Sequence, residues 1–548
     1  MNRCLSSLRI LLSIHLFALF PVRLAMAADK PNIIIFLADD LGYADVGVNG
    51  CKDIPTPHID SIAKNGVRFT DGYAAHPVCS PSRAAFMSGI YPHRFGFEHN
   101  SGPERYAAPH FGMPREVPSL AEKLKASGYT TGMVGKWHIG FKEGLRPHER
   151  GFSFHYGFLS GARSYYSDSP RELDSILRNG VPVTDETEYL TDAFARESVD
   201  FIQRSKDQPW FLYLAFNAVH SPLEATEKYE SRFPDITDKK RKTYAGMLSA
   251  LDDAVGRVMS KVREIDEEEN TLVFFYSDNG GPTAETSSRN DPLRGFKAQM
   301  FEGGIRVPFV MQWKGKVTAG KTYREPVMGF DCHATALAAA GLLEEAKGWP
   351  PSNAKDETAE GSRPATDVAL DGVNLIPFVT GESTGRPHEE LFWRAGQNHA
   401  VRMGDWKLVH SPQQGGTMLF NLREDIGEQH DLAVSQPDKL GELQAAFVDW
   451  EQGTEPARWI RQDQSNAEPG GALKKEPSNR NPRRRAGLPR IEDAFKTADK
   501  NNDGKLSGDE YPQPEIFTAV DTDQDGFATL AEVRAYFQSR RVNQNPRP

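Results

Sequence analysis

The chain predicts an α/β fold built on a mostly parallel sheet flanked by helices, and three observations carry that prediction. Continuous apolar runs rich in β-branched and aromatic residues alternate with stretches whose apolar residues recur at helical spacing. Most of these runs end in polar residues able to do chemistry. After Asp367 the alternation gives way to short runs joined by turns, the texture of a small antiparallel sheet. A length of 548 residues calls for two or three cores rather than one.

Pro31 to Ala38 reads as a strand buried on both faces, closed by Asp39-Asp40. Adjacent carboxylates repel unless a cation lies between them. The C-terminal end of a strand is where open α/β sheets bind ligands. Pro57 to Gly66 is a short amphipathic helix with a glycine stop, followed by a strand over Val67 to Thr70. Val117 to Gly128 predicts a helix, and the strand from Tyr129 ends in Gly135-Lys136-Trp137-His138. A helix from Thr191 precedes the strand Trp210 to Phe216, which ends in Asn217-Ala-Val-His220. Tyr244 to Arg263 places Met247, Leu248, Leu251, Val255, Val258, Met259 and Val262 on one helix face, as core. The strand Thr271 to Tyr276 is closed by Ser277-Asp278-Asn279-Gly280-Gly281. Arg294-Gly-Phe-Lys297 and a strand after Gly304 come next. The antiparallel sheet is drawn from Gly372 to Pro377, Leu391 to Arg394, Ala400 to His410 and Met418 to Leu422, with a helix from Leu440 to Trp450.

A hydrophobic share of 39% and a charged share of 26% are those of a globular protein, and a net charge of −10 argues against nucleic acid as a partner. Arg3 and Arg9, the apolar run from Ile10 and Ala25-Met26-Ala27 form a secretory signal over residues 1–27. That run is short for a membrane anchor and no later stretch spans a bilayer, so a secreted or periplasmic protein is expected. Of four cysteines, Cys4 leaves with the signal. Cys51 and Cys332 can pair or stay as thiols, and we favour no bridge.

The informative cysteine is Cys79, in Val78-Cys-Ser-Pro-Ser-Arg83. Pro81 suits a first helical turn, so Cys79 falls at a helix N-terminus, where the dipole favours an anion. Arg83 lies at i+4, on the same face. The longer string, Cys79-Ser-Pro-Ser-Arg83-Ala through Gly89-Ile-Tyr-Pro-His93-Arg, resembles the signature of type I sulfatases of the alkaline phosphatase superfamily. That resemblance implies an alkaline-phosphatase-like sheet, and it implies that a maturation enzyme oxidises Cys79 to formylglycine. It extends from Lys30 to about Trp450, including a match to the family's Arg-x-Gly-Asp-Trp-Lys at Arg402 to Lys407.

Carried over residue by residue, the resemblance makes Asp39, Asp40, Asp278 and Asn279 ligands of a calcium ion, with Cys79 as the remaining protein contact. Arg83, Lys136, His138, His220 and Lys297 become its cationic and acid–base residues. In the family mechanism one hydroxyl of the formylglycine hydrate attacks sulfur and the alcohol leaves. The second hydroxyl then expels sulfate. Asp278 would help deprotonate the attacking hydroxyl, His220 with Lys297 would protonate the leaving alcohol, and His138 would assist the elimination. The implied substrate is a sulfated saccharide. Its recognition is expected from His99 to His110, His148, Arg163 to Tyr166 and Thr286 to Arg294. A phosphonate or phosphate ester hydrolase of the same superfamily is the alternative, and a calcium-dependent binding protein with an inactive domain is a third reading.

The C-terminus carries a second signal. Asp499-x-Asn501-x-Asp503-Gly504-Lys505-x-Ser507-x-x-Glu510 and Asp521-x-Asp523-x-Asp525-Gly526-Phe527-x-Thr529-x-x-Glu532 both fit the calcium loop of an EF-hand, and these residues are the candidate ligands. The pair is expected to bind calcium and either to stabilise the tail or to dock a partner. The expected layout is a signal over 1–27, a catalytic domain over 28–385, its antiparallel subdomain over 386–460, a disordered linker over 461–489 and the EF-hand pair over 490–540.

Overall fold

The computed structural model describes residues 30–102, 110–166, 175–343 and 369–459, and then 495, 498–501, 503–508, 510–511, 517–533 and 536. The expected signal and linker lie outside these residues. The chain divides into two compact units, Met1–Asn466 and Ala467–Pro548.

The first unit is organised on a ten-stranded sheet. Its strands are β1 (Asn32–Ala38), β2 (Val67–Phe69), β4 (Thr130–Lys136), β5 (Phe154–Phe158), β6 (Leu177–Arg178), β7 (Val181–Pro182), β8 (Trp210–Ala215), β9 (Thr271–Ser277), β10 (Phe309–Gln312) and β11 (Lys321–Tyr323). A separate short pair joins β3 (Gly72–Tyr73) to β12 (Val327–Met328). The order in the large sheet is β11-β2-β10-β9-β1-β8-β4-β5-β6-β7. The five central strands, β9-β1-β8-β4-β5, are parallel. The sheet is mixed at its flanks, because β10 runs antiparallel to both β9 and β2, and β6 and β7 run antiparallel beyond β5.

The apolar runs are explained by burial on both faces. Ile33, Ile35 and Leu37 enter one core with Phe211, Tyr213, Leu272 and Phe274. Ile34, Phe36 and Ala38 enter the opposite core with Leu212, Leu214, Val273 and Phe275. The period of two sends successive side chains to opposite faces, so neither face tolerates polar residues. The helices Leu190–Ser205 and Lys239–Glu264 cover the second face. Cys79–Ser88, Leu120–Ala126 and Asp331–Ala339 cover the first. Truncating Phe36, which is fully buried, would cost ~3–5 kcal/mol.

Gly372 to Pro377, expected as strand, is instead irregular chain through Leu375 that enters the helix Ile376–Thr380, where Pro377 sits in the first turn and needs no N–H partner. Strand β5 was not expected, because Phe154 to Phe158 contains Gly157 and no β-branched residue. The antiparallel sheet is a meander of β13 (Glu390–Ala395), β14 (Asn398–Met403), β15 (Trp406–Ser411) and β16 (Gly416–Asn421). The helix Pro437–Glu451 packs on it through Leu443 and Phe447. A buried charge network ties this sheet to the large one. Lys407 Nζ lies 2.8 Å from Glu302 and 2.9 Å from Glu428, while Arg402 pairs with Asp71 at 2.6 Å. The matched Arg402 to Lys407 stretch therefore supplies two cations to the seam between the sheets. Cys51, Cys79 and Cys332 are free thiols. No helix among the described residues is long and apolar enough to cross a membrane.

In the second unit segments of the two acidic loops pair as antiparallel strands, β17 (Lys505–Ser507) and β18 (Phe527–Thr529), with Leu506 opposite Ala528. Phe495, Ala498, Leu506, Tyr511, Val520, Ala528 and Val533 form its core.

Candidate active site

The site forms because four parallel neighbours end level. Ala38 pairs with Ser277, and Leu37 and Gly135 both pair with Ala215. The residues at and just past the strand ends therefore meet at one edge: Asp39 and Asp40 after β1, Asp278 and Asn279 after β9, Lys136 at the end of β4, and Asn217 to His220 after β8. Backbone bonds continue the pairing beyond the strands, from Asp278 N to Ala38 O and from Asp39 N to Ala218 O. Gly135 has φ 107°, and a Cβ there would meet the Ala215 carbonyl at 1.9 Å, so glycine is required beside Lys136.

The helix Cys79–Ser88 begins at Cys79 and ends at Gly89 in the left-handed conformation, as expected. Its N-terminus points Cys79 Sγ to within 3.5 Å of Asp39. One turn later, Arg83 donates from Nε to Asp278 at 2.8 Å and from a terminal nitrogen to the Lys136 carbonyl at 2.9 Å. Lys136 Nζ pairs with Asp39 at 2.5 Å. Lys297 arrives on a loop and pairs with Asp40 at 2.7 Å. Asn279 Nδ2 donates to Asp40 at 2.7 Å. His220 Nε2 is 3.6 Å from Asp40. Asp40 and His138 both hold left-handed backbone, with φ 62° and 60°, an arrangement that non-glycine residues sustain only where surrounding structure imposes it.

Burial divides the cluster into a floor and a mouth. Cys79, Arg83, Lys136, His138, Asp39, Asp40, Asp278 and Asn279 are all buried. The side chains of His220 and Lys297 are each 17% exposed. The two groups expected to serve the leaving alcohol are thus the two that reach solvent.

Electrostatics follow from this packing. Burial opposes ionisation of Asp39, but Lys136, His220 and Arg83 outweigh it and hold the carboxyl below its usual range. Asp40 is held low against the same penalty by Lys297 and His220. Burial pushes the Cys79 thiol up, so an unmodified cysteine here is protonated and inert. Burial, then Lys136 and Arg83, push His138 well below its ordinary value, so it is neutral. His138 Nε2 faces the Ser101 carbonyl at 3.0 Å. A carbonyl only accepts, so Nε2 carries the proton and Nδ1, buried without a partner, is the basic nitrogen. His220 Nδ1 donates to the Ser221 carbonyl at 2.5 Å, which leaves Nε2 as its exchanging nitrogen.

The donor set fits a hard dication. Ligand atoms of Asp39, Asp40, Cys79 and His220 lie within 4.8 Å of one another. Asn279 Oδ1 is buried with no hydrogen-bond partner beside Asp40, an acceptor whose position is explained by a cation. Three carboxylates face the three cations Arg83, Lys136 and Lys297. A dication would leave the cluster positive, as an anionic ester requires.

Asn100 and Ser101 lie in the His99 to His110 span expected to recognise substrate, but here they support the site from behind: the Ser101 hydroxyl donates to the His138 carbonyl at 2.7 Å, and Asn100 accepts from Ser80 N at 3.0 Å. Among the expected recognition residues, Arg163, Tyr165 and Thr286 are buried, whereas Tyr166 is exposed; residues 103–109 of the expected loop lie outside the described residues. In the C-terminal unit, carboxylate oxygens of Asp521, Asp523 and Asp525 lie within 4.8 Å of one another, and Asp521 Oδ1 is buried without a partner. Gly504 and Gly526 have φ 83° and 87° at their loop turns. Glu510 and Glu532 close their loops onto Ser507 and Thr529. Asn501, Asp499 and Asp503 are joined by hydrogen bonds within the first loop. Lys505 is 3.3 Å from Asp525, across the two loops.

Comparison with known proteins gives a consistent result. The sulfatase family model matches residues 31–342, and an EF-hand model matches residues 491–511. The chain is 31% identical over 428 residues to N-acetylgalactosamine-6-sulfatase of Mus musculus, covering 74% of this chain and 76% of the relative. Among solved structures it is similar to Ps i-CgsB in complex with k-i-k-neocarrahexaose, with a TM-score of 0.71, 36% identity, and coverage of 80% of this chain and 96% of that one. It is also similar to the PsFucS1 sulfatase from Pseudoalteromonas sp., with a TM-score of 0.64, 25% identity, and coverage of 78% and 92%. The alkaline-phosphatase-like sheet, the Cys79 motif at its edge and these matches together make the chain an enzyme of the sulfatase family.

Proposed function

We propose that this enzyme is a secreted or periplasmic sulfatase that hydrolyses sulfate esters of carbohydrates with a calcium ion and a formylglycine derived from Cys79. The observation that carries the reading is the convergence of three carboxylates and three cations around the Cys79 helix N-terminus at the sheet edge. Relatives named for N-acetylgalactosamine 6-sulfate, and a neighbour holding a neocarrahexaose, support a saccharide substrate.

Asp39, Asp40, Asp278 and Asn279 would hold the calcium ion, which supplies charge to polarise the sulfate oxygens. The formylglycine hydrate supplies a nucleophilic hydroxyl, and a second one through which sulfate departs. Arg83 and Lys136 fix the floor, binding and orienting the sulfate oxygens where charge develops. Asp278, held by Arg83, is placed to accept a proton from the attacking group. Neutral His138 offers Nδ1 as the base for the later step. At the mouth, His220 Nε2 gives a proton to the leaving alcohol oxygen, with Lys297 beside it. In the C-terminal unit the ligand set from Asp499 to Glu532 would bind calcium. The proposed layout keeps a signal over 1–27, catalytic residues over 28–385, an antiparallel subdomain over 386–460, a linker over 461–489 and the EF-hand pair over 490–540.

The test is mass spectrometry of the tryptic peptide Phe69 to Arg83, from protein made in a host shown to convert a control sulfatase. An aldehyde at Cys79 is expected. An intact thiol there would defeat the nucleophile assignment. Turnover of a phosphate ester in preference to the matching sulfate ester would favour the phosphohydrolase alternative.

A further inference from the structure

The loop after β5 touches both histidines of the site. The Leu159 carbonyl accepts from His138 N at 3.2 Å. Gly161 lies against the His138 ring, where a Cβ would come within 2.5 Å of Nε2. Farther along, the Tyr165 hydroxyl sits between the carbonyls of Asn217 at 2.6 Å and His220 at 2.9 Å. These carbonyls bracket the turn that carries His220, whose own N–H donates back to Asn217 O at 2.9 Å. Tyr165 is fully buried and stacks on Tyr189, with centroids 5.5 Å apart and planes 17° from parallel. Glu224 tethers the loop, accepting from Ser164 Oγ and Tyr165 N at 2.8 Å each. Tyr189 closes the circuit by donating to the Glu224 carbonyl at 2.8 Å. A tyrosine spent on two main-chain carbonyls, four residues from Gly161, is placed to hold geometry and not to meet substrate.

We propose that Tyr165 is a positioning residue that sets the reach of His220 toward the leaving oxygen, with Leu159–Tyr166 as one bracket registering His220 against His138. This rests on the reading of His220 as the proton donor. The bracket's hydroxyl orders the Asn217–Ser221 turn. Ser221 O then fixes the His220 tautomer, and the other ring nitrogen faces Asp40 at 3.6 Å, beyond a hydrogen bond. Removing the hydroxyl leaves Asn217 O with the His220 N–H, takes the phenol away from the His220 carbonyl, and frees the turn.

A readout that a merely structural role would not move is dependence on the leaving group. Proton donation matters greatly for a basic leaving group and little for a weakly basic one. Wild type, Tyr165→Phe and His220→Ala are compared on phenyl sulfate and 4-nitrophenyl sulfate. Tyr165→Phe keeps the ring stack and should lose ~10–30-fold in kcat/KM on phenyl sulfate and less than ~3-fold on 4-nitrophenyl sulfate, while His220→Ala should show the same selectivity at ~100-fold or more. Selective loss in His220→Ala with equal losses on both esters in Tyr165→Phe would overturn the positioning role alone. Equal losses on both esters in His220→Ala would overturn the proton-donor reading beneath it. Should Tyr165→Phe fail to fold, Glu224→Ala, which cuts the tether from outside the site, must reproduce the selectivity more weakly; an unselective Glu224→Ala would also overturn the inference.

Discussion

Replacing Lys407 by Met tests whether the buried charge seam holds the two sheets together. Lys407, Glu302 and Glu428 are each unexposed, and the ammonium lies 2.8 and 2.9 Å from the two carboxylates. Met is of similar volume but removes the cation touching both, leaving two buried acids with Arg306 to face Glu302 at 3.1 Å. Breaking a buried pair from one side costs ~3–5 kcal/mol, because the remaining charge stays desolvated. Unfolding entropy of ~2.1 cal/mol/K per residue over roughly 430 residues is ~0.9 kcal/mol/K, so the melting temperature should fall by ~3–6 °C. Calorimetry at neutral pH measures the drop. Adding Glu428→Gln to the same protein should recover a large part of it, since one of the two stranded acids disappears. A drop under ~1 °C, or no recovery in the double variant, would refute the argument that desolvation governs this seam.

The same seam predicts a pH dependence. Burial raises Glu428 to about 7 from 4.5, against the pull of Lys407, so the folded state keeps a proton that the unfolded chain gives up. Stability should therefore decline as pH rises between about 4.5 and 7, and Glu428→Gln should flatten that part of the melting-temperature profile; an unchanged profile would contradict it. Dialysis against a calcium chelator should abolish sulfate-ester turnover and added calcium should restore it, with Asn279→Ala raising the calcium needed for half-activity by ~10-fold or more. Turnover indifferent to chelation would remove calcium from the site. Calorimetric titration of the full chain should find calcium bound beyond the active site, and Asp521→Ala should lower the stoichiometry by one while leaving kcat intact. An unaltered stoichiometry would count against the second loop.

The central strands were legible because burial on both faces forbids polar residues, which leaves an unbroken apolar run as its mark. The site residues were legible because most of them close such a run, and Cys79 because Pro81 and Gly89 bound its helix. Strand β5 was hidden by its glycine, and the helix Ile376–Thr380 by an apolar run too short to distinguish from strand.

By itself, then, the sequence determined the chemistry on offer: which carboxylates, cations, histidines and thiol stand at strand ends and at one helix start, and which acids recur in the calcium loops. Only the tertiary structure decided who meets whom. It set Asp39 against Lys136 and Asp278 against Arg83, separated a buried floor from the half-open pair His220 and Lys297, and turned Tyr165 inward behind His220. The reason is physical. Apolar periodicity is imposed locally by each element's own repeat, whereas charge pairing and burial arise between residues as far apart as Arg83 and Asp278 and leave no local trace.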